Sequence, residues 1–244
     1  MTFRLTCFVI ASFVFGSVAQ AQILATYDFT TTTSNALSVA PTPPLPTGGT
    51  VSNLTRGDGI TAPGFSIAGQ YSAVGYTLGR GGLDAAIATN EYMSFTLTAD
   101  PGNTIRVSSL FLGINGSALG PLSIAIQTSA TGFGTDDSNI IGLAAVTSTS
   151  TGHTFDLSAV NQALIASNAG VLEFRIYGYN SSFGNFNLID VGGTNGLTVT
   201  GSFVPVPEPG TIFGLGATIL GIGAFVRRKY LNSGSVSADP EVTV

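Results

Sequence analysis

The C-terminal part of the sequence limits what the rest of the chain can fold into. Prolines alternate with other residues from Pro205 to Pro209, an uncharged apolar run follows over Thr211–Val226, and Arg227-Arg228-Lys229 ends it. Because proline cannot lie inside a helix, the pattern predicts a helix that starts after Pro209. At about 1.5 Å per residue this helix is roughly 25 Å long, the short end of what spans a bilayer. The sequence therefore predicts a rigid spacer, a transmembrane helix over 211–226 and a basic stop.

The basic stop also predicts the orientation of the chain in the membrane. The protein has eight lysines and arginines, and three of them are Arg227, Arg228 and Lys229. A cluster of positive charge beside an apolar helix marks the cytoplasmic side. We therefore expect the residues before the helix to lie outside the cytoplasm, and residues 230–244 to form a polar cytoplasmic tail.

The N-terminal residues have the pattern of a secretory signal peptide over 1–21. Arg4 supplies positive charge, Leu5–Phe15 is apolar, and Ala19 and Ala21 occupy the two small-residue positions of a cleavage site. The apolar stretch is too short to be a second membrane anchor. The sequence thus predicts export through the inner membrane and cleavage after Ala21.

The C-terminal arrangement resembles the PEP-CTERM sorting signal of bacterial exported proteins. Pro207, Glu208 and Pro209 carry the resemblance, together with the glycine-rich helix and the basic stop, in segment 204–229. The resemblance implies a partner, the exosortase, a membrane protease-transpeptidase that recognises the tail and processes the protein at the motif. It also implies a protein anchored in the membrane before processing and placed afterwards at the cell surface or in the extracellular matrix. The family usually ends soon after the basic cluster, whereas here Tyr230–Val244 follow.

Composition excludes some functions for the segment between these ends. Residues 22–203 contain four arginines, no lysine and ten acidic residues. Nucleic-acid binding requires a basic face, so it is excluded. The one cysteine is Cys7, in the predicted signal peptide, so the exported domain is expected to have neither disulfides nor thiol chemistry.

Period-two alternation of apolar residues predicts that residues 22–203 form one all-β domain. In Glu91–Ala99, for example, Met93, Phe95 and Leu97 alternate with serine and threonine. The other predicted strands are Gln22–Thr30, Tyr71–Leu78, Thr104–Ile114, a strand around Ile124, Ile140–Val146, Leu172–Tyr177, Phe186–Val191 and Leu197–Phe203. Many short strands with Gly-rich turns favour an antiparallel β-sandwich, jelly-roll-like. Ser158–Asn168 is the one helix expected in the domain, and residues 31–49 are expected to form a long surface loop.

Residues 70–203 also resemble a β-sandwich domain that is common among PEP-CTERM proteins. The resemblance rests on Glu91–Leu97, Val107–Leu110, Phe155–Ser158, Phe174–Gly178 and Ile189-Asp190. It implies an exported all-β domain and no particular activity.

The sequence offers no catalytic constellation, so we expect a protein that is not an enzyme. His153 is the one histidine, and no Gly-x-Ser-x-Gly motif accompanies it. Most of the acidic residues stand beside turn residues, where aspartate usually serves local hydrogen bonds. A sandwich that cleaves polysaccharide with two carboxyl groups is the enzyme alternative.

Two kinds of candidate binding site follow from residue type, one for calcium and one for carbohydrate. Calcium binds loop oxygens, and Asp136, Asp137 and Asn139 form the densest cluster of such ligands, against the alternative of a solvated loop. Asp28 and Asp190 are a second candidate pair. Carbohydrate binding uses aromatic faces, and Tyr177 and Tyr179 stand two apart on a predicted strand, although packing along the sheet is the alternative.

These observations leave two hypotheses for function. The preferred hypothesis is a non-enzymatic protein of the cell surface or extracellular matrix, sorted through its C-terminal signal. The alternative is a module that binds extracellular polysaccharide.

Overall fold

The computed structural model describes residues 21–77, 82–118, 120–157, 159–161, 170–181, 186–189 and 196–206. They include the α-helix α1 (Gly82–Ala88), a short helical segment at residues 159–161 and a 3₁₀ turn, Asp137–Asn139. The strands are β1 (Gln22–Tyr27), β2 (Gly49–Val51), β3 (Thr55–Arg56), β4 (Gln70–Ala73), β5 (Tyr92–Ala99), β6 (Asn103–Gly116), β7 (Ser123–Thr128), β8 (Ile140–Ala145), β9 (Thr151–Asp156), β10 (Val171–Tyr179), β11 (Phe186–Ile189) and β12 (Leu197–Pro205).

The strands form two antiparallel sheets, which confirms the predicted all-β class. The first sheet has the order β1-β12-β6-β11-β4, with β9 also paired to β6. The second has the order β2-β5-β10-β7-β8, with β3 also paired to β5. In the first sheet Ile114 pairs with Leu188 of β11 and with Thr151 of β9. β9 and β11 therefore lie on opposite edges of β6. Because β12 also pairs with the edge of β6 that faces away from β9, β11 and β12 lie end to end on the same side of β6.

The core lies between the two sheets and follows the alternation in the sequence. Phe95 of β5 and Phe174 of β10 are buried and stack with ring centroids 4.9 Å apart. Tyr27 of β1 meets Phe95 edge-on at 5.5 Å, so the aromatic cluster joins the first sheet to the second. From β6, Leu110 and Leu112 are also fully buried. Burial of these side chains is the main favourable contribution to folding.

Arg56 connects the two sheets on one side of the sandwich. It belongs to β3 of the second sheet, and its guanidinium donates to the backbone carbonyls of Ser34, Ala36 and Ser72, the last in β4 of the first sheet. The guanidinium also lies 4.0 Å from the centroid of the Tyr71 ring. Burial lowers the pKa of Arg56, and burial raises the pKa of Tyr71 to about 12 although the nearby Arg56 charge opposes the shift.

On the other side, β8 of the second sheet meets β9 of the first. The ring of Phe155 packs against Gly142, where any Cβ atom would collide with it. Gly142 therefore permits the two edge strands to approach each other.

Several elements differ from those predicted. The helix α1 and the strands β2, β3 and β9 were not predicted, so the expectation of a single helix in the domain is wrong. The helix α1 has only seven residues, which is too short for a helical period to stand out. Of the predicted helix Ser158–Asn168, residues 159–161 are helical and the others lie outside the described residues.

The last strand extends into the predicted sorting segment. In β12, Val204 pairs with Thr104 and Pro205 with Asn103, two residues beyond the predicted end at Phe203. The next residue, Val206, donates its N–H to Gly102 O at 2.8 Å. The chain therefore remains bonded to the sandwich until one residue before Pro207.

Candidate functional site

The candidate calcium ligands lie on a surface loop after β7. Asp136 and Asp137 are exposed, and Asp137 begins the 3₁₀ turn. The amide of Asn139 is directed towards Gly132 and Gly134. Among the described residues no group of three or more His, Cys, Asp or Glu side chains is placed to hold a metal ion. Calcium binding here stays a prediction, and Asp190 of the second candidate pair lies outside the described residues.

The candidate glycan contacts Tyr177 and Tyr179 lie on the outer face of the second sheet, on β10. Tyr177 is fully buried there, and the Tyr92 ring meets it edge-on with centroids 5.4 Å apart. Tyr179 is half-buried. Burial raises the pKa of Tyr177, although the hydrogen bond with Arg175 opposes the shift. Of the two rings, Tyr179 is the more exposed, and glycan contact here stays a prediction.

Arg175, next to Tyr177 along the outer face, is the centre of a stack of side chains. Its guanidinium lies 3.8 Å from the ring centroid of Phe133 and 4.4 Å from that of Tyr92. Its Nε donates to Glu173 Oε1 at 2.7 Å. Partial burial alone would lower the pKa of Arg175, but hydrogen bonds to Glu173 and Tyr177 raise it above its usual value. The Arg175 cation thus lies within cation–π distance of two aromatic rings.

The structure also contains a cavity that sequence reasoning missed. It has a volume of about 440 Å³ and is formed by the loop that follows β1. Its polar lining residues are Asp28 and five hydroxyl-bearing residues, Thr31, Thr32, Thr33, Ser38 and Thr42. Its apolar lining consists of Ala36, Val39, Ala40, Pro41 and Pro43. We call it the loop pocket.

Hydrogen bonds and buried side chains fix the walls of the loop pocket. Asp28 N donates to Thr42 Oγ1 at 2.9 Å, and Thr42 N donates to Thr26 O of β1 at 2.8 Å. Val39 is buried and pairs through its backbone with Leu54. The only sequence signal was an aspartate followed by a Thr- and Pro-rich run, which is also typical of any surface loop.

A second open cavity, of about 370 Å³, lies where β1 begins and β12 ends. Arg106, Ser202 and Ala21, the residue before the predicted cleavage point, contribute to its lining. Asn161 supports it by pairing with the backbone of Val107, since its Oδ1 accepts from Val107 N at 2.8 Å. The two ends of the sandwich therefore meet at one pole, which we call the terminal pole.

The following predicted residues all lie outside the described ranges. They are Ala19, the sorting residues Pro207, Glu208 and Pro209, the predicted span 211–226 and the basic residues Arg227, Arg228 and Lys229. Within the described ranges no helix has the length and apolar character that crossing a bilayer requires.

Comparison with protein-family models matches residues 205–229 to the PEP-CTERM protein-sorting motif. The chain carries a PEP-CTERM sorting signal. The match begins at Pro205, the last residue of β12, and ends at Lys229, the last residue of the basic stop. The signal implies exosortase-dependent export with a cell-surface or membrane-associated fate. A comparison with curated proteins found no matching relative.

Proposed function

We propose that this chain is a non-enzymatic protein of the cell surface or extracellular matrix, which an exosortase processes after export. The single observation that carries the proposal is the PEP-CTERM match over residues 205–229. The order of Pro-Glu-Pro, apolar run and basic stop supports it, because this order places the motif outside the membrane and the basic residues in the cytoplasm.

The fold adds a constraint on how the protein would meet the exosortase. Val206 is still bonded to Gly102, and the predicted membrane helix begins at Thr211. An extended chain covers at most about 3.5 Å per residue, so these five steps span less than roughly 20 Å. Before processing, the terminal pole would therefore lie close to the membrane surface.

Replacing Pro207, Glu208 and Pro209 by alanine tests the proposal. We expect the variant to be exported and to remain in the membrane fraction at full length, because the exosortase no longer recognises it. Cell fractionation and intact mass measure location and processing together. The matched control replaces Ser235, Val236 and Ser237 by alanine in the same way. These residues lie beyond the matched segment, so the control should be processed normally.

Unchanged processing and location of the Pro-Glu-Pro variant would overturn the proposal. In that case the C-terminal segment acts as an ordinary membrane anchor. If the control variant also accumulated in the membrane, any change in this region would block processing. That result would likewise contradict recognition through the motif.

Polysaccharide binding by the sandwich is the second candidate function. The loop pocket favours it, because a carboxylate and several hydroxyls line one wall and apolar side chains line another. Retardation of the protein in gels that contain polysaccharide measures this activity directly, and it does not depend on processing.

A further inference from the structure

We propose that the loop pocket binds a single neutral sugar residue of an extracellular polysaccharide. This inference rests on the second candidate function and names its site and ligand class. It does not depend on Tyr177 and Tyr179, which lie on the second sheet, whereas the pocket follows β1 of the first.

The size of the pocket suits one sugar residue. Small-molecule sites usually measure about 300–1,000 Å³, and the loop pocket, at about 440 Å³, lies in the lower part of that range. An extended oligosaccharide would need a longer groove, so the rest of a polysaccharide chain would run out over the surface.

The chemistry of the lining selects the ligand class. Hydroxyls of Thr31 and Thr33 both donate and accept hydrogen bonds, which suits the neighbouring hydroxyls of a sugar. The Asp28 carboxylate, whose Oδ1 accepts from Thr30 N and Thr30 Oγ1, adds a negative charge that favours hydroxyl donors. Ala40, which is exposed, and Pro41, which is half-buried, offer apolar surface to the C–H face of the ring.

The lining also disfavours other ligands. No lysine, arginine or histidine is among the described residues that line the pocket, so an anionic ligand would find no countercharge beside Asp28. Calcium takes about six to eight oxygen ligands, with carboxylates prominent among them, and the described lining has one carboxylate.

The pocket is fixed in shape before any ligand binds. Ser34 Oγ donates to Phe65 O at 2.8 Å and accepts from Ile67 N at 2.9 Å, which ties the loop to the segment before β4. Ala36 O accepts from Arg56 at 2.7 Å. A rigid wall loses little conformational entropy on binding, so it favours affinity for a small ligand.

Affinity gel electrophoresis of the full chain in mild detergent tests the inference. The gels contain dextran, galactomannan or alginate, of which the first two are neutral and the third is acidic. We expect retardation by a neutral polysaccharide and less or none by alginate. Free monosaccharides added to the gel should compete, since the pocket takes one residue.

Two variants locate the binding. Asp28→Asn keeps an Oδ1 acceptor for Thr30 N but removes the negative charge, and Ala40→Phe fills the pocket from an exposed loop position. Each should weaken binding by about tenfold or more, because an interaction with a charged group or the cavity itself is lost. The matched controls are Asp100→Asn and Ala145→Phe, both exposed and outside the pocket lining, which should bind as the unaltered chain does.

The outcomes separate the inference from the functions on which it rests. Equal retardation of all variants would show that the protein binds polysaccharide, but it would overturn the loop pocket as the binding site. No retardation by any of the three gels would overturn both. Neither result bears on exosortase sorting, which the Pro-Glu-Pro variant tests independently. A circular dichroism spectrum that differs from that of the unaltered chain would disqualify a variant, and Thr33→Val then replaces it.

Discussion

At the scale of single residues, Arg56 connects several elements although it lies on a strand of only two residues. Its hydrogen bonds in the described part of the chain all go to backbone carbonyls, and those carbonyls belong to the other sheet and to the loop after β1. A planar guanidinium can serve several acceptors at once and also lie on the Tyr71 ring. Arg56 thus joins β3 of the second sheet to β4 of the first sheet and to the loop after β1.

We predict that Arg56→Lys destabilises the protein by about 1–3 kcal/mol, because an ammonium cannot serve the same acceptors and leaves buried carbonyls without donors. Thermal unfolding followed by circular dichroism measures the change. Arg106→Lys, at an exposed position of β6, is the matched control and should change stability by no more than about 0.5 kcal/mol. Equal stability of the two variants would show that Arg56 does not join the sheets.

Residue-scale predictions from the sequence succeeded where a period was visible. The inward positions Met93, Phe95 and Leu97 follow directly from their alternation with serine and threonine, and all three are buried. The role of Arg56 could not be predicted in this way. A strand of two residues has no period, and the acceptors of Arg56 are brought to it by residues far away in the sequence.

At the scale of elements, the loop after β7 is held against the outer face of the second sheet by two contacts. Phe133 lies over the guanidinium of Arg175, and Gln127 Nε2 donates to Gly134 O at 2.6 Å. The loop contains the candidate calcium ligands Asp136 and Asp137. The stack on Arg175 is therefore one of the contacts that hold the loop carrying those carboxylates.

We predict that Phe133→Leu loosens this loop without unfolding the sandwich. A cation–π contact at a partly exposed site contributes about 0.5–1 kcal/mol, so amide hydrogen exchange in residues 130–139 should rise severalfold. Exchange in β7 and β10 should stay unchanged. Phe65→Leu, at another partly exposed phenylalanine, is the control. Unaltered exchange in 130–139 would mean that the other contacts of the loop, among them the Gln127 bond, fix it without the stack.

The length of a strand limited how well it could be predicted from the sequence. Long strands such as β5, β6 and β10 were predicted because each shows several alternations. The strands β2 and β3 have three and two residues, and their pairing with β5 depends on the whole sheet. The loop pocket was missed for a related reason. Its walls are one continuous loop, but their shape depends on bonds to β1, to Leu54 and to Arg56.

At the scale of the whole molecule, the terminal pole joins the two ends of the exported domain. Gln22 at the start of β1 pairs with Gly201 of β12, four residues before Pro205, where the PEP-CTERM match begins. The sandwich and the sorting signal are thus continuous along one strand. The loop pocket follows β1 and the sorting signal begins at the last residue of β12, so the two occupy separate parts of the sequence.

The predicted membrane helix has a face of small residues that an exosortase, itself a membrane protein, could pack against. Gly210, Gly214, Ala217 and Gly221 recur at helical spacing and share this face. Helices associate in lipid through close packing, which small residues permit. Leucine at these positions would insert favourably into the membrane but would hold a neighbouring helix away.

We therefore predict that Gly214→Leu combined with Ala217→Leu leaves membrane insertion intact and slows processing severalfold. Pulse-chase labelling with intact-mass detection of both forms measures the rate. The matched control, Gly216→Leu combined with Gly223→Leu, adds the same kind of bulk on the opposite face of the predicted helix and should be processed at the normal rate. Full-rate processing of the first variant would show that helix packing plays no part and that recognition depends on Pro207, Glu208 and Pro209. Equal slowing of both variants would instead point to the total apolarity of the helix, since a more strongly inserted segment is harder to release whichever face carries the leucines.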